Sequence, residues 1–209
     1  MIAIDRGWIL PVTLTGTNAS LVPASQAHAV DLAAAAADGD LWKLWYTSVP
    51  NPTEMPQEIE RRLKLVTEGS MISFAVLDNK SRKAVGMTTF MNIDHALKRL
   101  EIGHTWYAPS VQRTGINTEC KLMLLTHAFE DLNCIAVEFR TSFFNHQSRR
   151  AIERLGAKLD GILRNHRRHK NGTLHDTCVY SILAGEWPAV KGHLQFKLER
   201  NRPVSTLSD

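Results

Sequence analysis

The 209-residue chain predicts a single mixed α/β domain spanning 1–209, with its core at about 19–183 and a polar extension over 188–209. Three observations support this. Segments with apolar residues at steps of three and four alternate with short β-branched and aromatic runs, so both helical and strand periods are present. Glycine, proline and asparagine fall between these segments as breaks. The resulting order is a strand, two or three helices, three strands, a helix, a strand, a helix and two strands, which suits one sheet flanked by helices.

Each element has a local reason. "VTLTGTNASLVPAS" reads as a strand or two, ending near Pro23. Ser25 is the cap for a helix over "QAHAVDLAAAAADG", closed by Gly39. "DLWKLWYTSVP" is a short aromatic helical turn ended by Pro50; Trp42 and Trp45, three apart, suit a core face, while Tyr46 suits an acceptor pocket. "NPTEMPQEIERRLKLVTEG" is a helix with Glu58, Arg61 and Arg62 on its solvated side. "MISFAVLD" and "KAVGMTTFMNID" form a hairpin around "NKSR", and "RLEIGHTWYA" is a further strand stopped by Pro109. In "VQRTGINTECKLMLLTHAFEDL", Leu122, Leu125, Phe129 and Leu132 mark a helix with one buried face; Asn117 and Thr118 are cap types, and Asn133 is a stop. "CIAVEFRTSF" is a strand, and "NHQSRRAIERLGA" a helix from about Asn145 to Gly156. Two strands follow around a tip at Asn171-Gly172, and the tail after Trp187 is expected to be partly loose.

Charge and cysteine content bound the function. The 25 Lys and Arg against 21 Asp and Glu make a mildly basic protein, which suits an acidic ligand without requiring nucleic acid. Asp5 and Arg6 interrupt any signal-peptide core, and no apolar run is long enough to span a membrane. Cys120, Cys134 and Cys178 are odd in number and widely spaced, as free thiols in a reducing compartment would be. The expectation is a cytoplasmic protein with no nucleic-acid or membrane partner. A homo-oligomer stays open.

The stretch from Gln112 to Asn117 carries the first chemical signal. A glycine-bearing turn leading into a helix N-terminus points several backbone N–H groups at one place, which suits an anion and phosphate above all. An ordinary loop-to-helix junction looks the same on this stretch alone.

Over roughly Ala19 to Leu183 the chain resembles the GNAT superfamily of N-acetyltransferases. "QRTGIN" is similar to the family's pyrophosphate loop, Q/R-x-x-G-x-G/A, with Gln112 first and Gly115 fourth, although Asn117 replaces the usual small residue. "NHQSRRAIERLGAKLDGIL" and "LEIGHTWYAP" resemble segments of the Rim-type branch, which acetylates ribosomal-protein N-termini. The resemblance implies a mostly antiparallel sheet with splayed central strands, and acetyl-CoA as co-substrate. The diphosphate would meet N–H groups from Arg113, Thr114, Gly115, Ile116, Asn117 and Thr118. The pantetheine arm would lie between Thr105, Trp106 and Tyr107 on one strand and Phe139 to Phe143 on the other. Asn145 would bond that arm, or merely cap its helix.

Acetyl transfer to an amine needs a proton acceptor and a donor for the departing thiolate. Glu101 is the first candidate base and His104 the second; strict alternation puts Glu101, Thr105 and Tyr107 on one face and His104 on the other. The family's usual tyrosine acid position holds Ile152, so Ser148 is nominated as the donor, with an ordinary helix serine as the plain reading. The acceptor is an amine, either a peptide N-terminus or a small molecule. "RNHRRHKNG" reads as a solvated loop or as a steering patch for an acidic acceptor. His166, His169 and His175 lack accompanying acidic or cysteine ligands, so no metal is expected. Two rival classes remain: a non-catalytic acyl-CoA sensor, favoured by Ile152, and a nucleic-acid binder using "RNHRRHK".

Overall fold

In the computed structural model, residues 7–47, 49–168 and 172–200 are described. The sheet is built from β1 (Leu14–Thr15), β2 (Ala19–Pro23), β3 (Met71–Asp78), β4 (Ala84–Asp94), β5 (Arg99–Tyr107), β6 (Ala136–Ser142), β7 (Lys158–Arg168) and β8 (Leu174–Leu183). Its spatial order is β1-β2-β3-β4-β5-β6-β8-β7. Every neighbouring pair is antiparallel except β5 and β6, which are parallel. The helices are α1 (Ala29–Ala37), α2 (Met55–Thr67), α3 (Ile116–Thr126), α4 (His146–Glu153) and α5 (Trp187–Arg200).

Apolar side chains cover both faces. Leu32, Ala36, Met55 and Ile59 from α1 and α2 pack with Met87 and Trp106 on one face. Leu124 and Leu125 from α3, with Leu194 from α5, pack on the other face with Phe90, Ile102 and Tyr180. All three cysteines are buried free thiols. Among the described residues no helix is long and apolar enough to cross a membrane.

The tail expected to be loose is α5 over residues 187–200, with Trp187, Val190 and Leu194 buried. Their spacing of three and four is an apolar stripe obscured by the polar residues around it. Trp187 Nε1 donates to Glu130 Oε1 at 2.7 Å, and Lys191 Nζ donates to the same carboxylate, which fixes the helix beside the end of α3. Pro203 lies outside the described residues.

Arg62 is not on a solvated side either, being fully buried. It lies on the same stripe as Met55 and Ile59, and burial of its charge is offset by bonds to Glu58 Oε1 (2.7 Å) and Thr89 Oγ1 (2.8 Å). Burial alone would raise the Glu58 carboxyl, but the Arg61 hydrogen bond and the two arginine charges bring it to about 2. This pairing therefore stabilises the fold above the ordinary carboxylate range and loses that contribution as pH falls toward 2.

Trp42 and Trp45, expected in the core, are not buried. Residues 38–43 form a 3-10 helix with left-handed Gly39 and Asp40, so the three-residue spacing there is not an α-helical face.

Candidate active site

β5 and β6 pair only through Arg99↔Ala136, Leu100↔Val137 and Glu101↔Glu138. Beyond these, β5 runs on to Tyr107 against β4, while β6 runs on to Ser142 against β8. A fork opens between them, and its inner edges carry backbone groups with no neighbouring strand. Such groups call for a partner, and an extended amide-bearing chain can supply one.

A bulge at His104 reorganises the β5 side of the fork. His104 has φ +48, and the register passes from Thr89↔Gly103 to Met87↔Trp106, so β5 holds one more residue than β4. The extra residue breaks the alternation expected from the sequence. Gly103, opposite Thr89, and His104, beside Arg62, share the α2 face with Glu101. Thr105 instead faces α3, where its Oγ1 accepts from Lys121 Nζ at 2.8 Å. Tyr107 packs in the α3-side core, and Trp106 packs against the α1 side.

Glu101 sits at the root of the fork and is only 4% exposed. Burial raises its pKa, against the opposing pull of the Asn92 hydrogen bond and the Arg140 charge. Asn92 Nδ2 donates to Glu101 Oε2 at 2.7 Å, and Arg140 Nε lies 3.5 Å from the same oxygen. Arg140 is itself bound to Glu138 at 2.9 Å, which weakens its hold on Glu101.

His104 is a poor base here. Burial first, and then the Arg62 charge, push its pKa down to about 4. Arg62 Nη2 lies 3.4 Å from His104 Nδ1, and a guanidinium can only donate. Nδ1 is therefore the acceptor, and the proton of the neutral ring sits on Nε2. With Nδ1 so engaged, the neutral ring presents its N–H at Nε2.

The loop at the far end of β5 begins with a 3-10 turn over Pro109–Val111 and ends at Gly115, the N-cap of α3, with φ +91. No side chain caps this helix, so Asn117 and Thr118 are not the caps their residue types suggested. The first helical bond runs from Glu119 N–H to the Gly115 carbonyl at 3.0 Å. The N–H groups of Ile116, Asn117 and Thr118 therefore emerge unpaired at the positive helix end. A Cβ on Gly115 would meet only Leu198 Cδ2, at 4.0 Å, so glycine is needed here for its left-handed backbone and for access. Arg113 is left-handed as well, at φ +65, and Thr114 Oγ1 pins the turn by donating to the Val111 carbonyl at 2.7 Å.

Gln112 acts as a strut. Its Nε2 donates to the Tyr107 carbonyl (3.1 Å), and its Oε1 accepts from Gln147 Nε2 of α4 (3.2 Å). These bonds tie β5, the loop and α4 together. Asn145 Oδ1 accepts from Ser148 N–H at 3.0 Å, which makes it the cap of α4 and leaves its Nδ2 for other use. Ser148 lies in the first turn of that helix, and Ile152 is buried in the core.

Just past the end of β6, the Phe144 ring lies 5.5 Å from that of Trp45 at a tilt of 50°, and each residue is 52% exposed. Residues 164–168 of the basic run lie on exposed edge strand β7, with Arg164 paired to Asp176 at 2.6 Å, and 169–171 lie outside the described residues. The charge of Arg167 is felt at both Glu101 and His104. His169 and Asn171 lie outside the described residues.

The sequence reading missed Asn92, Arg140, Arg62 and Lys121 as neighbours of the site. Burial pushes the Lys121 amine down to about 7, with Thr88 and Thr105 hydroxyls as its hydrogen-bond partners. The 3–4 spacing of Lys121 with Leu124 and Leu125 on α3 was the available signal.

This geometry has relatives. The family description "Acetyltransferase (GNAT) domain" matches residues 19–158. The chain belongs to the GNAT acetyltransferase family. A GCN5-related N-acetyltransferase from Brucella melitensis superimposes with a TM-score of 0.81 at 30% identity, over 91% of this chain and 86% of that one. RimJ from Mycobacterium smegmatis, in complex with CoA-disulfide, shares the fold at a TM-score of 0.77 and 23% identity, over 91% and 96% of the two chains. YdaF of Bacillus subtilis, named among the ribosomal N-acetyltransferases, is 35% identical over 106 residues. That match covers 51% of this GNAT chain and 57% of YdaF, little more than half of either length.

Proposed function

We propose that this GNAT protein transfers an acetyl group from acetyl-CoA to a primary amine, with an α-amino group of a protein N-terminus or small molecule as the acceptor. The observation that carries the reading is the fork between β5 and β6, with buried Glu101 at its root and a ring of unpaired N–H groups at the end of β5. Acetyl-CoA supplies an activated acetyl thioester. Backbone N–H groups from Arg113 to Thr118 hold its diphosphate, and the fork edges at Thr105–Tyr107 and Phe139–Phe143 hold its amide-bearing arm. The CoA complex of RimJ supports this use of the fold.

In the reaction a C–N bond forms and the C–S bond breaks. Glu101 takes the proton lost by the amine, directly or through water. The departing thiolate is protonated, with the Ser148 hydroxyl as its hydrogen-bond donor. Glu101 suits the first role because burial lifts its pKa toward the working range of a base. An α-amine with a pKa of roughly 7.7–8.0 is about a tenth to a fifth neutral at pH 7, whereas a lysine near 10.4 is neutral in only about one molecule in 2,500. A single carboxylate base therefore handles an α-amine far more easily. The name of YdaF supports a protein N-terminus.

The test is thiol release from acetyl-CoA in the presence of N-terminal peptides, free amino acids and small amines. Binding of acetyl-CoA without release in any of them would favour the sensor reading, for which the buried Ile152 in place of a tyrosine acid speaks.

Two variants probe the parts. Acetyl-CoA raises the melting temperature of the native protein. Gly115→Val abolishes that shift while the apo protein still folds, because a side chain occupies the open end of α3; an unchanged shift would remove the phosphate cradle. Ser148→Ala slows single-turnover transfer by about tenfold to a hundredfold at saturating acetyl-CoA, the lower range for a positioned donor. A rate within about twofold of wild type would assign that proton to water.

A further inference from the structure

A second bulge, in β4, lies on the other side of Glu101 from the one at His104. The β4–β5 register passes from Met91↔Glu101 to Asp94↔Arg99, so Asn92 and Ile93 of β4 stand against the single residue Leu100 of β5. Asn92 carries the left-handed backbone of this bulge, with φ +47. Asparagine enters that region more readily than most residues with a side chain.

The bulge decides where the Asn92 side chain points. Met91 lies directly opposite Glu101. A Cβ on Gly103 would meet Met91 Sδ at 2.7 Å and Glu101 Oε1 at 2.9 Å, so both side chains stand on one face. Alternation would send the next residue, Asn92, through to the α3 side. Ile93 packs against the α3-side core instead. Asn92 therefore stays on the face of Glu101, where its Nδ2 donates to Glu101 Oε2 at 2.7 Å.

The carboxylate is held by one oxygen. Arg140 Nε, at 3.5 Å, is directed to the same Oε2, and among the described residues Oε1 has no polar partner. Oε1 lies where a side chain on Gly103 would collide with it. Gly103 does not have a left-handed backbone, so it contributes space rather than conformational freedom.

We propose that Asn92 is a positioning residue for the reaction: it ties down Oε2 of Glu101, so that Oε1, in the space left by Gly103, is the oxygen that takes the amine proton. The inference rests on Glu101 as the base in the acetyl-transfer reading above. The proton moves from the amine nitrogen to Oε1, directly or through water, and passes to solvent after the product leaves. A carboxylate with one anchored oxygen presents the other in a fixed direction, as proton transfer requires. The same bond favours the ionised form, and it is the largest of the causes that oppose the effect of burial on Glu101. Arg140 and Glu138 of β6 and Arg167 of β7 are the charged groups acting on Glu101. On the α2 side stand His104, a neutral ring, and Arg62, paired with Glu58.

The test measures kcat, the KM for acetyl-CoA and the pH–rate profile of Asn92→Asp, Asn92→Gly and Gly103→Ala, each alone and combined with Glu101→Gln. Aspartate has the shape of asparagine, and both aspartate and glycine tolerate positive φ, so the bulge stays. Each Asn92 variant lowers kcat at neutral pH by about tenfold or more, the scale of a reacting group moved out of line, and leaves the KM for acetyl-CoA near wild type. The acid limb of the profile moves to higher pH in both, and further with aspartate, whose charge opposes ionisation of Glu101. Gly103→Ala lowers kcat by a similar factor, because the flexible ends of Glu101 and Met91 give way to the new methyl group while the strand stays. In the Glu101→Gln background none of the three costs more than about twofold further, since a residue that acts through Glu101 then has nothing to position. Losses that add in full to that of Glu101→Gln overturn the positioning role, as does a wild-type kcat and acid limb in Asn92→Asp. A wild-type kcat in Gly103→Ala overturns the assignment of Oε1. A wild-type rate in Glu101→Gln overturns the base reading itself, and this inference with it.

Discussion

Replacing Glu101 by glutamine lowers the rate of acetyl transfer by about a hundredfold or more, the range for removal of a positioned general base. The substitution keeps the shape of the side chain and an oxygen for Asn92 Nδ2, so the fork and acetyl-CoA affinity stay near wild type. The pH dependence is the sharper readout. Burial raises the Glu101 pKa, and only the ionised carboxylate accepts a proton. The wild-type rate therefore climbs with pH in two stages, first as Glu101 ionises and then as the amine loses its own proton. Glu101→Gln lacks the first stage. Its deficit is greatest between the Glu101 pKa and about pH 8, and shrinks above that, where free α-amine is abundant. A pH–rate profile that matches wild type with a reactive amine would make Glu101 structural.

Much of this site was legible because its parts are local. The candidate phosphate loop announces itself through a glycine before a helix N-terminus, and the strands around it through their alternation. Glu101 was readable from its place on β5. The bulge at His104 was not: one extra residue in β5 leaves no mark on residue type, yet it carries His104 to the face of Glu101 and turns Thr105 toward α3. The same limit applies to partners far apart in the chain. Arg62 became visible as a neighbour of the candidate site only where α2 lies over β4 and β5, with Thr89 and His104 receiving its donors. A charged residue on an apolar helical stripe is the trace that such a partner leaves, and Arg62 and Lys121 both carry it.

The C-terminal helix shows a different kind of limit. Trp187, Val190 and Leu194 are spaced correctly, but they are outnumbered by Lys191, His193, Lys197 and other polar residues, so composition outweighed pattern. The polar residues have work on both sides of that helix. Lys191 meets Glu130 on one side, while Lys197 and His193 cap α4 on the other. Polarity reflected partnership rather than disorder.

Glu119→Ala should produce the largest loss of stability. An acidic residue suits the first turn of a helix, where Glu119 stands in α3. In the structure this carboxylate is buried and accepts three backbone N–H bonds from the turn between β1 and β2: Thr17 at 2.7 Å, Asn18 at 2.9 Å and Ala19 at 3.0 Å. Gly16 makes room for it, since a Cβ there would lie 2.8 Å from Glu119 Cδ. Alanine leaves three donors without an acceptor: the buried Ala19 N–H, at a cost of about 1–3 kcal/mol, and those of Thr17 and Asn18, which are exposed residues whose donors water reaches. The upper end is a large share of the roughly 5–15 kcal/mol that holds a domain folded. At about 2–4 °C per kcal/mol for a chain of this size, the melting temperature falls by about 2 °C at least. Glu119→Gln keeps one acceptor oxygen but turns an NH2 toward the remaining donors, so it recovers only part of the loss. Because Glu119 directly follows the phosphate loop, the alanine variant also loosens the start of α3, and acetyl-CoA restores less of its melting temperature than it adds to wild type. Thermal melts with and without acetyl-CoA measure both effects. A shift under about 2 °C without ligand would mean that water satisfies the turn as well as the carboxylate does.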